Sequence, residues 1–260
     1  MNTDPPIFSI LMASFNQAKY IQEAIESLLQ QDFESWELLI QDAGSTDGSL
    51  AIVDKYSKLD SRITVRIEKD SGPADALNKA LHRSSGLFVG CLNSDDFYLP
   101  KTLWRVWESF SNRPSSDIIF GHGFLLKNDQ IEKIISDKFS LTRFKLKVAR
   151  VVHQSTFYRR DSLVKGELEF NLENNTCWDS ELLVDAAQKK LVITGIEDYF
   201  GIMRLHSESI TGSNRIQEKY FLDQERLLRK TTSHTSLWFT LSLIARPAIV
   251  LKRSLKAKFG

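Results

Sequence analysis

An α/β fold, with a mostly parallel central sheet flanked by helices and a helical C-terminal extension, is what this sequence predicts, and three features carry the prediction. The run from Leu87 to Leu92, broken only by Gly90, is too short for a helix and too apolar for an exposed strand. It reads as a strand buried on both faces. A strand at Ile7 to Ser14, a helical pattern after it and a second strand at Trp36 to Gln41 make a βαβ unit. These strands deliver Asp42 and the pair Asp95-Asp96 at their C-terminal ends, where open α/β sheets place ligands.

The 260 residues suffice for one large α/β domain with a short appendage, and 42% apolar and 26% charged content is ordinary for a globular chain. A net charge of +1 supplies no global field to attract nucleic acid, and no nucleic-acid partner is expected. The charge is uneven, however. No acidic residue follows Glu225, whereas Arg226, Arg229, Lys230, Arg246, Lys252, Arg253, Lys256 and Lys258 do. The segment Met1 to Pro6 has neither a basic region nor a cleavage site, which argues against a signal peptide. There are two cysteines, one of them (Cys91) inside the buried strand, so a reducing, cytoplasmic setting is the expectation. The longest apolar run, Leu237 to Leu251, is interrupted by Arg246 and Pro247 and is too broken to cross a bilayer.

In chain order, Asn16 is the expected cap of a helix whose inner face is Ile21, Ala24, Ile25, Leu28 and Leu29, ending near Gln31. Beyond Trp36 to Gln41, the turn-rich Asp42-Ala43-Gly44-Ser45-Thr46-Asp47-Gly48-Ser49 opens a second helix with Asp47 as its cap. Asp42 precedes the glycine rather than the helix, so its carboxylate is free to point into the crevice. Ile63 to Ile67 alternates like an edge strand, and Gly72-Pro73 starts a helix carrying Asp75 in its first turn, where the dipole favours a carboxylate. Adjacent desolvated carboxylates such as Asp95 and Asp96 repel each other, and a divalent cation is the simplest counter-charge.

Further on, Leu103 to Phe110 is helical, and two short strands, Asp117 to Phe120 and Gly123 to Leu126, flank a solvent-facing turn histidine, His122. Residues 132–150 show no clean period. A strand is expected over His153 to Arg160, a helix capped by Asp179, and two short strands at Leu191 to Thr194 and Tyr199 to His206. Gln217 to Lys230 is a charged helix, and Ser236 to Lys258 an apolar stretch rimmed by cations. That extension suits either an anionic membrane surface or a packing partner, including a second copy.

Four linked segments together resemble the family-2 glycosyltransferases, the inverting nucleotide-sugar enzymes with the GT-A fold. They are Ser9 to Asn16 with its amphipathic helix, Gln41 to Ser49, Lys69-Asp70-Ser71-Gly72 leading into Asp75-Ala76-Leu77-Asn78, and Asn93-Ser94-Asp95-Asp96. The resemblance covers about residues 7–210. It implies a catalytic domain over 1–212, with a nucleotide-sugar half (7–100) and an acceptor half (101–212), and a basic helical extension over 213–260. It places Ala13, Phe15, Asp42 and Asp75 at the nucleotide, and Asn93-Ser94-Asp95 at the family's Asp-x-Asp motif. Because Asn93 replaces the first carboxylate, the metal falls to Asp95, Asp96 or both. Ala43 also departs from the family, which usually has glycine there. Asp179 matches the catalytic carboxylate, with Glu181 as the reserve candidate, and His206 in the closing Arg-Leu-His is placed near the metal or diphosphate.

The implied reaction moves a sugar from a UDP-, GDP- or dTDP-linked donor to a hydroxyl of a glycan or lipid-linked acceptor, at or near the inner face of the cell membrane. Mn²⁺ or Mg²⁺ is the implied cofactor, neutralising charge on the leaving diphosphate. A positioned carboxylate base contributes about 10²–10⁴-fold. A sugar-phosphate nucleotidyltransferase is the enzymatic alternative, but it calls for a glycine- and arginine-rich loop that Ala13-Ser14-Phe15-Asn16-Gln17 is not. The absence of Gly-x-Gly-x-x-Gly disfavours a dehydrogenase. A glycan-binding, non-catalytic relative is the third reading.

Overall fold

The computed structural model describes residues 5–174, 176–209, 217–232, 237–238 and 240–241. Nine strands form one sheet among them, in the order β3-β2-β1-β4-β8-β6-β9-β5, with β7 paired to β6. The elements of the first half are β1 (Phe8–Ser14), α1 (Ile21–Leu29), β2 (Trp36–Asp42), α2 (Ser49–Leu59), β3 (Ile63–Ile67), α3 (Pro73–Arg83) and β4 (Phe88–Cys91). β1 pairs in parallel with both β2 and β4, and β2 pairs in parallel with β3, which lies at the sheet edge as its alternation predicts.

The second half comprises β5 (Phe97–Tyr98), α4 (Thr102–Ser111), β6 (Ile118–Lys127), β7 (Gln130–Ile134), α5 (Leu141–Lys145), β8 (Thr156–Arg159), α6 (Arg160–Val164), α7 (Trp178–Gln188), β9 (Ile193–Leu205) and α8 (Gln217–Thr231). Here only β6 and β9 run parallel, while β8 lies antiparallel to both β4 and β6. The sheet is therefore parallel in its first half and mixed over the whole.

Alternation along β1 shows why both faces are buried. Phe8, Ile10 and Met12 join a core with Ile21, Ile25 and Leu28 of α1, whereas Leu11 joins Leu77, Leu81 and Val89 and the helix α7 on the other face. Gly90 lets β4 lie close beneath its neighbours. A Cβ there would meet the Phe157 ring at 2.7 Å and the Tyr98 hydroxyl at 2.9 Å. Phe157 is fully buried and cannot yield, so Gly90→Ala is expected to lower stability by roughly 1–3 kcal/mol, read as a lower urea midpoint with unchanged slope.

Several expectations are corrected. Asn16 does not cap α1, which begins at Ile21; it holds a left-handed φ of 53° and ties its loop to the next one, its N–H donating to Ser45 Oγ and its Oδ1 accepting from Thr46 N. Gly48, at φ 104°, is the residue that enters α2, and Asp47 acts from one position earlier by accepting from Ser49 N. The two strands expected around Gly121 to Gly123 are one, β6, and His122 sits within it, 3% exposed rather than in a solvent turn. The segment beginning at His153 opens with a 3₁₀ turn, His153–Ser155, before β8. Likewise the pair expected between Leu191 and His206 is one long strand, β9. Both cysteines are free and buried. No helix among the described residues is long and apolar enough to cross a membrane, and most of Ser236 to Lys258 lies outside those residues.

Candidate active site

A cavity of about 1620 Å³ opens at the C-terminal ends of β1, β2 and β4 and continues beneath the β6–β7 hairpin to the start of α7. Ala13, Phe15, Asn93, Asp95, Asp96 and Asp179 all line it. The sequence offers these residues from two strand ends and a helix more than 80 positions further on.

Asp42 is placed differently from expectation. Fully buried, it accepts from Gly44 N (2.9 Å) and Ser45 N (2.7 Å) on one oxygen and from the hydroxyls of Ser14 (2.8 Å) and Ser45 (2.7 Å) on the other. With both oxygens occupied, it builds the loop that forms the cavity floor instead of presenting a free carboxylate. Asp75 likewise accepts from Ser71 N at 2.9 Å and lies 3.6 Å from Lys79 Nζ, a first-turn role that keeps it off the cavity wall.

The Asp95-Asp96 turn divides its two carboxylates between separate tasks. Asp96 is 2% exposed and faces inward: Oδ1 accepts from Arg204 N (2.7 Å), and Oδ2 accepts from Asn93 Nδ2 (2.9 Å) and from Gln154. Burial first, and the neighbouring charge of Asp95 second, push its pKa upward against these donors. Asp95 faces the cavity, its Oδ2 3.0 Å from Nε2 of His206. The His206 ring packs on Tyr20 with centroids 4.5 Å apart, and Arg204 donates from Nε to the Asp95 carbonyl. No cluster of three or more acidic, histidine or cysteine ligands occurs among the described residues. An oxygen and an imidazole nitrogen side by side do fit a Mn²⁺-type ion whose remaining positions are filled by diphosphate and water. Asp96, with both oxygens engaged, is the weaker candidate of the two.

At the far end of the cavity stands Asp179, the second residue of α7, whose N-cap is Cys177 rather than Asp179 itself. Its half-buried carboxylate makes no hydrogen bond or ion pair with any described residue. Glu181 is two positions on and so on another side of the helix. It is fully buried and engaged by Asn171, Asn174, Arg226 and Lys230, which removes it from the reserve role.

Three cavity residues were not singled out from sequence. Asp70 ends the segment after β3 much as Asp42 ends β2, and burial raises its pKa, helped by Asp75 and Asp42. That parallel between strand ends was the available signal. Gln154 and His153, from the 3₁₀ turn, carried none.

The parallel-stranded first half, with carboxylates at its strand ends, is joined to a mixed-sheet second half that carries Asp179, the arrangement the sequence resemblance implies. The family model for glycosyl transferase family 2 matches residues 9–165, and the chain belongs to that family. The matched span contains Ala13 to Asp96 but stops before Asp179 and His206. The putative teichuronic acid biosynthesis glycosyltransferase TuaG of Bacillus subtilis is 35% identical over 139 residues, 53% of this chain and 55% of that relative. The PGL/p-HBAD biosynthesis glycosyltransferase of Mycobacterium bovis is 26% identical over 230 residues, 84% of this chain and 83% of the relative. Among solved structures, S. aureus TarS 1-349 in complex with UDP-GlcNAc superimposes with a TM-score of 0.67 at 23% identity, over 86% of this chain and 66% of that one. The mannosyltransferase PcManGT from Pyrobaculum calidifontis, in complex with GDP-Man and Mn²⁺, gives 0.63 at 17% identity, over 96% and 76%. These likenesses establish the fold as GT-A.

Proposed function

We propose that this chain is an inverting, metal-assisted glycosyltransferase that moves a sugar from a nucleoside-diphosphate donor to a hydroxyl of a glycan or lipid-linked acceptor. The observation that carries the reading is the occupation of one cavity by two unlike acidic centres. Asp95 is paired with His206 at the nucleotide end, and at the other stands Asp179, which makes no hydrogen bond or ion pair with any described residue.

Phe15, 57% exposed on the cavity rim, offers an aromatic face to a base, and Asp70 and the loop held by Asp42 supply acceptors for base or ribose donors. Asp95 and His206 would hold Mn²⁺ or Mg²⁺, which when bound neutralises charge on the departing diphosphate. Asp179 accepts the proton of the acceptor hydroxyl as that oxygen attacks the anomeric carbon from the side opposite the diphosphate, which inverts the configuration. The structures in complex with UDP-GlcNAc and with GDP-Man and Mn²⁺ support a nucleotide-sugar donor and a divalent ion in this fold. Support for work at a membrane's inner face comes from the cations after Glu225 and from Phe221 and Leu222, 69% and 60% exposed beside the cavity residue Lys219.

A thermal-shift screen across UDP-, GDP- and dTDP-sugars, with and without Mn²⁺, tests the reading. One donor class is expected to raise Tm in a metal-dependent way, since ligand at 100-fold over Kd contributes about 2.7 kcal/mol. Asp95→Ala and His206→Ala are expected to remove most of that shift. A shift indifferent to metal would remove the role given to Asp95 and His206, and no shift with any donor would remove the reading itself.

A further inference from the structure

Among the described residues, the imidazole of His206 lacks the bond that usually fixes a metal-binding histidine. Such rings almost always donate their second N–H to a carboxylate, a carbonyl or a water, which sets both tautomer and orientation. Here Nε2 lies 3.0 Å from Asp95 Oδ2, while Nδ1 is shielded from solvent and bonded to no described residue. A single hydrogen bond leaves a ring able to swing about the axis of that bond. Some other contact must hold its plane.

Tyr20 is the group placed to do so. Its ring meets the imidazole with centroids 4.5 Å apart and planes inclined at 39°, within the range of attractive aromatic contacts. The same ring lies 5.0 Å from Cζ of Arg204, close enough for a cation–π contact. Arg204 in turn donates from its backbone N–H to Asp96 Oδ1, from Nε to the Asp95 carbonyl and from Nη2 to Glu23. Two residues at the end of β9 therefore lean on one ring, and both reach the Asp95-Asp96 turn. Tyr20 itself is anchored. It is the N-cap of α1 and 9% exposed, its N–H donates to Gln17 O (2.9 Å), and its carbonyl accepts from Ala24 N (3.3 Å).

We propose that Tyr20 is a positioning residue for the metal corner: its ring takes the place of a hydrogen bond at Nδ1 and keeps Nε2 of His206 beside Asp95, ready for a divalent ion. Two ligands on adjacent corners of an octahedron with bonds of about 2.1 Å stand about 3 Å apart, and 3.0 Å is the separation of Nε2 and Oδ2. The ion then finds a preset pair and displaces the hydrogen bond between them. Without the tyrosine ring, the imidazole samples several orientations, and one that is correctly placed about one time in ten binds the ion about tenfold more weakly. The inference rests on the reading of Asp95 and His206 as metal ligands.

The test measures Mn²⁺ binding to the full chain from the EPR signal of the free ion, with UDP or GDP present, whichever raises Tm. Tyr20→Leu and Tyr20→Ile, which fill space without a π face, are expected to weaken Mn²⁺ binding about tenfold, the lower end of what losing an orienting partner costs. Tyr20→Phe, which keeps the ring, is expected to bind as wild type does. Phe33→Leu controls for lost packing, since Phe33 belongs to the same core as α1; it is expected to lower Tm and leave Mn²⁺ affinity unchanged. In a His206→Ala background, Tyr20→Leu is expected to cost nothing further, because a residue that acts through another has no effect once that other is gone. Thermal melts identify the folded variants. Unchanged Mn²⁺ binding in folded Tyr20→Leu or Tyr20→Ile, an equal loss in Phe33→Leu, or a tenfold loss that persists without His206 would each overturn the role of Tyr20 and leave the metal ligands standing. Mn²⁺ binding unaffected by His206→Ala would remove His206 as a ligand, and the role of Tyr20 with it.

Discussion

Asp179→Asn is expected to reduce sugar transfer by about 10²–10⁴-fold, the usual contribution of a positioned base, while the protein still binds its donor. The isosteric change isolates proton acceptance from shape. Since the Asp179 carboxylate makes no hydrogen bond or ion pair with a described residue, stability loses only its favourable position in the first turn of α7, at most about 1 kcal/mol. Transfer rates measured beside donor-induced thermal shifts separate the two quantities. A variant that keeps more than about a tenth of wild-type transfer would take the base role away from Asp179.

Glu181→Ala is expected to have the largest effect on stability, about 3 kcal/mol. The carboxylate accepts from Asn171 (2.8 Å), Asn174 (2.8 Å), Arg226 (3.0 and 2.5 Å) and Lys230 (3.1 Å), so truncation strands four donor groups around an empty centre. Breaking a buried ion pair from one side costs about 3–5 kcal/mol. The lower end applies because Arg226 and Lys230 are about one-third exposed (34% and 36%) and recover water. Burial by itself would raise the Glu181 pKa, but these donors outweigh it and hold it down to about 2. The sign follows directly. A carboxyl whose folded pKa lies below its unfolded value of about 4.3 stabilises the protein fully above that value, and the contribution fades as pH falls toward 2. Urea unfolding between pH 7 and 2.5 should show a loss in that window that Glu181→Gln lacks. An acid profile identical in the two proteins would mean the network contributes nothing.

The nucleotide half was legible because central parallel strands are apolar on both faces and their ends are punctuated by turn formers. Leu87 to Leu92 and Ile7 to Ser14 announced themselves that way, and Asn93, Asp95 and Asp96 followed from their placement at a strand end. The second half was harder to read because its strands are broken by glycines that serve packing. A Cβ at Gly121 would meet Asp198 O at 2.5 Å, and one at Gly195 would meet Phe120 Cζ at 2.8 Å. Read as punctuation, these residues split β6 and β9 into fragments and exposed His122, which is buried. The unexpected engagement of Asp42 and Glu181 by other side chains has another source. A carboxylate's partners decide whether it serves a ligand or the fold, and beside the local Gly44 and Ser45 those partners include Ser14, 28 positions from Asp42, and Arg226, 45 positions from Glu181. No local pattern encodes the distant ones.

The inward-turned carboxylate of Asp96 has a consequence for the order of assembly. Its bonds to Gln154 and to the backbone of Arg204 span 58 and 108 positions, and β9 adds to the sheet between β6 and β5 rather than at a free border. During synthesis the first four strands can zip together from neighbouring pieces, but the corner built around Asp96 stays open until residue 204 has emerged. Such distant closures are slow relative to local ones. Competence for chemistry should therefore return after most of the secondary structure when the denatured chain is refolded, with the final step bringing in the last strand.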